Sequence, residues 1–110
     1  MAEKRKVLGQ LAPSATTNTN LYTVPGGTEV VSSSITFCNR NTSAVGSVSC
    51  WVRVLGAVVE NKQMLLSASP VPASDTLILT IGATLDATDI ITVWCSSADF
   101  SINMFGIEVS

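Results

Sequence analysis

The chain has 110 residues, of which 46% are hydrophobic, 13% charged and 5% aromatic, with a formal charge of -2 and a mean hydropathy of +0.43. This length supports one core, the apolar content excludes disorder along the whole chain, and the longest unbroken apolar run, Val54-Leu55-Gly56-Ala57-Val58-Val59, falls far short of the ~20 residues of a membrane-spanning helix. The charge is about half that of an ordinary soluble domain and the balance is acidic, so nothing in it favours direct nucleic-acid binding.

Reading in chain order, the first residues Met1-Ala2-Glu3-Lys4-Arg5-Lys6-Val7 carry no apolar signal-peptide core, which predicts synthesis and folding in a reducing cytoplasm. Lys4, Arg5 and Lys6 are half of the six basic residues. They mark residues 1–11 as an N-terminal arm with a short strand over 7–11, ahead of a single domain over 12–110. A weak strand over 21–24 is followed by Pro25-Gly26-Gly27, read as the turn of a hairpin. Over 29–39 the sequence alternates Val31, Ser33, Ile35 and Phe37 with Ser32, Ser34, Thr36 and Cys38, a strand pattern. After the polar turn at 39–43, a second strand over 46–55 places Val48, Cys50, Val52 and Val54 on one face and Ser49, Trp51 and Arg53 on the other. A weaker strand covers 62–67, and Pro70-Val71-Pro72 is expected to interrupt any ladder there. Strands over 75–81, 90–96 and 100–109 complete the set, with Asp86-Ala87-Thr88-Asp89 as a tight polar link. No segment has the three-and-four spacing of a helix, and seven or eight short strands predict an all-β antiparallel sandwich of jelly-roll type.

The residues that carry chemistry are few. The chain has no histidine, which removes Ser-His and Cys-His nucleophiles and the commonest zinc sites. Cys38, Cys50 and Cys95 are an odd set without a C-x-x-C pair. They are expected as buried, reduced thiols, with a Cys38–Cys50 disulfide left open. Asp75, Asp86, Asp89 and Asp99 fall in turns or at strand starts, where Asp bonds its own backbone, so no metal or carboxylate-pair site is expected. Trp51 and Trp94 are expected in core or subunit-interface packing, with stacking on a sugar ring as the other reading. No nucleophile, base and oxyanion donor assemble. The expectation is no enzyme and no cofactor.

Several segments carry a resemblance. Val7-Leu8-Gly9-Gln10-Leu11-Ala12-Pro13-Ser14-Ala15, Asn20-Leu21-Tyr22-Thr23-Val24-Pro25, Ser34-Ile35-Thr36-Phe37-Cys38-Asn39-Arg40, Leu85-Asp86-Ala87-Thr88-Asp89-Ile90-Ile91-Thr92-Val93 and Phe105-Gly106-Ile107-Glu108 resemble, in order and over most of the chain, a group of small phage virion structural proteins. The resemblance implies an all-β domain on a tailed-phage particle. It would be a capsid decoration or cement protein or, alternatively, a component of a tail fibre, baseplate or head fibre. It supplies no catalytic residues. A carbohydrate-binding adhesion module using Trp51 or Trp94 is a further alternative.

The low charge fits a part whose surface is covered by neighbours, since burying unpaired charge is costly. The expected partners are copies of itself, as a homotrimer matching the three-fold sites of a shell, and the major capsid protein, or tail proteins in the alternative. Lys4, Arg5, Lys6, Val7 and Leu8 are the expected arm contacts. No direct nucleic-acid contact and no membrane are expected. The expected location is the virion, after synthesis in the host cytoplasm.

Overall fold

Period-two alternation is realised in eight antiparallel strands in a computed structural model that describes residues 2–110. They are β1 (Glu3–Leu11), β2 (Thr19–Thr23), β3 (Glu29–Asn39), β4 (Gly46–Arg53), β5 (Met64–Val71), β6 (Thr76–Leu85), β7 (Ile90–Cys95) and β8 (Phe100–Val109). Single 3₁₀ turns at Val54–Gly56 and Asn61–Gln63 lie between β4 and β5. No helix is long and apolar enough to cross a membrane.

The strands form two four-stranded sheets in the orders β1-β8-β3-β6 and β2-β7-β4-β5. Strands equidistant from the middle of the chain pair up: β1 with β8, β2 with β7, β3 with β6 and β4 with β5. A long antiparallel ribbon wound on itself gives this order, and it is the jelly roll. Only the β4–β5 connection stays within one sheet; every other connection crosses between sheets. Pro25-Gly26-Gly27 therefore closes no hairpin, because β2 and β3 belong to different sheets. It does turn the chain, with Gly27 at φ +74° and the Thr28 N–H donating to the Pro25 carbonyl.

The inward faces meet in one core. Ile35, Phe37, Phe100, Ile102 and Met104 from the first sheet pack against Val48, Cys50, Ile91, Val93 and Cys95 from the second. The expected inward set of β7 is thus realised, and so are Val48, Cys50 and, in part, Val52 of β4, whereas Val54 lies beyond the strand and is exposed. On β3 the expected face fails halfway. Val30 and Ser32 are buried while Val31 and Ser33 are exposed, and beyond Ser34 the buried set becomes Ile35, Phe37 and Asn39. A bulge between Ser32 and Ser34 switches the inward parity, which alternation alone cannot register.

Other boundaries move for local reasons. β4 stops at Arg53 because Leu55 adopts φ +54°, a left-handed conformation that ends a ladder. The Asp89 Oδ1 accepts the Leu55 N–H at 2.9 Å, and the Arg53 guanidinium donates to the carbonyls of Gly56 and Ala57. β5 continues through Pro70, which pairs opposite Ser47. It lies at a sheet edge, where Pro is tolerated because its missing N–H would face outward.

The largest correction is at the N-terminus. Residues expected as a reaching arm form β1, a nine-residue strand paired with β8 from Glu3–Val109 to Leu11–Ile102. Backbone bonds between Ala2 and Ser110 extend the ladder by one more pair. Charged side chains do not prevent this, because β1 is an edge strand and charge on an edge blunts unwanted pairing. The described part of the expected arm, Ala2 to Leu11, is therefore built into the sandwich.

Candidate interaction surface

A sandwich offers a partner two outer faces and four strand edges. The outer face of the β1-β8-β3-β6 sheet is apolar at its centre. Arg5, Ile107 and Val31 are cross-strand neighbours, as are Val7 and Phe105, around a shallow depression that also takes in Ser33. Val7 is 43% exposed, Val31 40% and Ile78 60%. Apolar surface of this kind costs little to desolvate. The bulge that turns Val31 outward thereby builds part of this patch.

The expected contact residues separate into two groups. Alternation turns Arg5 and Val7 to the outer face, and Leu8 is in the core. Lys6 turns towards Glu108, with Nζ to Oε1 at 3.3 Å. The Tyr22 hydroxyl of β2 donates to Glu108 Oε2 at 2.6 Å, so this cluster links the two sheets. The Tyr22 hydrogen bond holds the Glu108 carboxyl below its ordinary value, with Lys6 and Lys4 adding to the lowering against the opposing effect of burial. Burial, and then the neighbouring carboxylate, push the Tyr22 phenol well above its ordinary value. Lys4 and Arg5 make no ion pair among the described residues.

Trp51 and Trp94 share the outer face of the β2-β7-β4-β5 sheet, opposite Thr92 and Ser49 respectively. Trp51 is only 9% exposed, and Trp94 is half-buried. Beside them lies a closed polar network. Arg53 donates to Asn20 Oδ1 and Thr92 Oγ1 at 3.2 and 3.3 Å, and the Thr92 hydroxyl donates to Asn20 at 3.0 Å. At this burial the Trp51 ring presents no open platform for a sugar.

The carboxylates in the turns serve the backbone. Asp75 accepts from the Thr76 N–H, Asp86 from the Ala87 N–H, and Asp89 from the N–H groups of Leu55 and Asp86. Asp99 differs, accepting from the side-chain amide of Asn41. Among the described residues no three Cys, Asp or Glu side chains gather as metal ligands would. All three cysteines are free. Burial pushes the Cys50 thiol up to about 12 and the Cys95 thiol up to about 11, which removes nucleophilic thiolate at neutral pH.

Two features escape the sequence reading. The Tyr22–Glu108–Lys6 cluster joins residues far apart in the chain, brought together by the β1·β8 pairing and by β2 packing across the sandwich against β8. The loop after β4 exposes Val54, Leu55 and Val58; its apolar run is visible in the sequence, but extending β4 through it hides the exposure.

Comparison with known proteins gives little to set beside this geometry. No family model matches the chain, and no curated protein matches it. Among solved structures, a chain from a structure of infectious bursal disease virus, Gt strain, is similar at 8% sequence identity with a TM-score of 0.49. That similarity covers 96% of this chain and 31% of the other.

Proposed function

We propose that the protein is a structural component of a virus particle, a capsid decoration protein that packs through its charge-poor outer surfaces against the shell and against copies of itself. One observation carries the reading: a jelly roll whose β1-β8-β3-β6 sheet turns Val7, Val31 and Ile78 to solvent, flanked by Arg5, which makes no ion pair among the described residues. The jelly roll recurs in viral capsid proteins, although a fold alone never fixes a function. The resemblance of the turn-and-strand segments to small phage virion proteins points the same way. Closed symmetric assembly would bury the exposed apolar residues and protect strand edges.

Placement on the capsid, as opposed to a tail fibre or baseplate, is tested by copy number in purified particles. Hundreds of copies per particle support decoration; a handful supports the tail. Absence from the particle sinks both. The basic edge is tested separately with Arg5→Glu. Its outward side chain leaves the β1–β8 ladder intact, so the fold stays and binding to empty capsids weakens several-fold. Unchanged binding would remove Arg5 from the contact.

A further inference from the structure

Four edges bound the two sheets, and three of them are protected against pairing. β1 carries Glu3, Lys4, Arg5 and Lys6 and a bulge at Val7/Gly9. β2 has five residues and a bulge at Asn20/Tyr22. β5 contains Pro70 and faces two irregularities in its pairing with β4. β6, with ten residues, contains no charge and no proline. Among the described residues its one partner strand is β3; the pairing is irregular at Ile81–Gly82, opposite the Ser32/Ser34 bulge, but along Thr76–Thr80 it meets Ser34–Cys38 without a break. A regular stretch with neither charge nor proline on an open edge is what monomeric proteins avoid.

The sequence of that edge is symmetric. Thr76-Leu77-Ile78-Leu79-Thr80 reads the same in both directions about Ile78. The backbone has the matching symmetry. The Asn39 N–H donates to the Asp75 carbonyl at 2.9 Å, so Asp75, Leu77 and Leu79 turn their backbone groups to β3. Antiparallel alternation then turns those of Thr76, Ile78 and Thr80 to the open side.

We infer that β6 is a homotypic docking edge, which pairs antiparallel with β6 of a second copy about a two-fold axis at Ile78. In this register Ile78 meets Ile78, Leu77 meets Leu79 and Thr76 meets Thr80, pairs of the kind that stabilise sheets. The outward backbone groups of Ile78 and Thr80 find partners across the axis, giving about four new ladder bonds, while the Thr76 N–H keeps its bond to the Asp75 carboxylate. Leu77 and Leu79, half-buried at the rim of the core, gain cover from their counterparts. The occupant is a second copy because charge permits it here and forbids it at the opposite edge: self-pairing of β1 would set Lys4, Arg5 and Lys6 against their own kind. The inference rests on the symmetric-assembly part of the proposed function and not on its virion part.

Light scattering during size-exclusion chromatography tests it, with circular dichroism to verify folding. The native chain is expected at twice its 11.5 kDa mass at micromolar concentration. Ile78→Lys, at a side chain 60% exposed in the protomer, sets two ammonium groups together at the axis. It is expected to keep the fold and weaken the dimer about tenfold or more. A register-specific pair completes the test: Thr76→Lys with Thr80→Lys is expected to dissociate, whereas Thr76→Lys with Thr80→Glu is expected to remain dimeric. A native monomer, or an Ile78→Lys dimer of undiminished affinity, overturns the docking edge; a monomeric Lys/Glu variant overturns the Ile78-centred register. A dimer absent from particles leaves this inference standing and sinks the virion reading, and a particle-bound monomer does the reverse.

Discussion

The two outer strands of the β1-β8-β3-β6 sheet are alike in length and opposite in chemistry. β1 spends four charged residues and a bulge on its edge, while β6 keeps ten uncharged residues, five of them in a palindrome. Both contribute to the same core, Leu8 from one and Leu85 from the other. Burial therefore does not explain the difference; what each strand meets outside the sheet does. A charged edge repels its own copy and is suited to a partner of opposite charge, whereas an uncharged edge lacks that barrier to its own kind.

The largest effect is expected from Gly106→Val on β8, the strand between β1 and β3. A Cβ at Gly106 meets the Val31 carbonyl oxygen and, at 2.9 Å, Leu8 Cδ1. Overpacking there is expected to cost about 3 kcal/mol, read by urea unfolding. It loosens both seams of β8, since Val31 and Ser32 belong to β3 and Leu8 to β1, while Thr76–Thr80 of β6 pair with Ser34–Cys38, beyond the clash. Equal loss of dimer and of stability would break the contrast between the edges.

Tyr22→Phe sharpens the β1 side. Loss of the hydrogen bond to Glu108, whose side chain is 18% exposed, is expected to cost about 1 kcal/mol at pH 7. The pH dependence has a fixed sign. Because the Glu108 carboxyl is held below its ordinary value in the folded protein, its contribution is present above the unfolded carboxyl value of about 4.3. It is lost as pH falls through the lower folded value. The difference between the native protein and Tyr22→Phe is therefore expected to shrink on acidification below about pH 4. A difference that stays constant would remove Glu108 from the account.

The smallest effect concerns the β6 side. Cys38 is the cross-strand neighbour of Thr76 and is half-buried, whereas Cys50 and Cys95 are buried. In folded protein at neutral pH, a thiol reagent is expected to label Cys38 alone. It is expected to do so at similar rates in the native chain and in Ile78→Lys, since in-plane pairing covers the edge of β6 and not its face. Slower labelling in the native oligomer would indicate face-to-face stacking instead.

Much of this molecule can be read from residue order. β3 and β8 fall where alternation places them, Glu29–Asn39 and Phe100–Val109, because the apolar residues of a strand packed on one face recur every second position. What escapes has definite causes. The bulge at Ser32/Ser34 turns Val31 outward at a point where serines give no apolar signal. β1 hides behind Glu3 to Lys6, since an exposed edge needs no alternation. Pro25-Gly26-Gly27 announces a reversal without saying which sheet receives the next strand. The candidate surface follows the same division: the basic cluster and the two tryptophans are visible in the sequence, but Arg5 and Lys6 separate into outward and inward roles only once β8 lies beside them. The palindrome at Thr76–Thr80 is written openly and gains meaning only when β6 proves to be an edge.

The most direct test compares backbone amide exchange at the two edges of the native protein in solution. The outward amides of Ile78 and Thr80 on β6 are expected to be protected at high concentration and released on dilution or in Ile78→Lys. Those of Glu3, Arg5 and Val7 on β1, turned outward by the Ala2–Ser110 pairing, are expected to exchange rapidly throughout. Rapid exchange at both edges, whatever the concentration, would contradict the account.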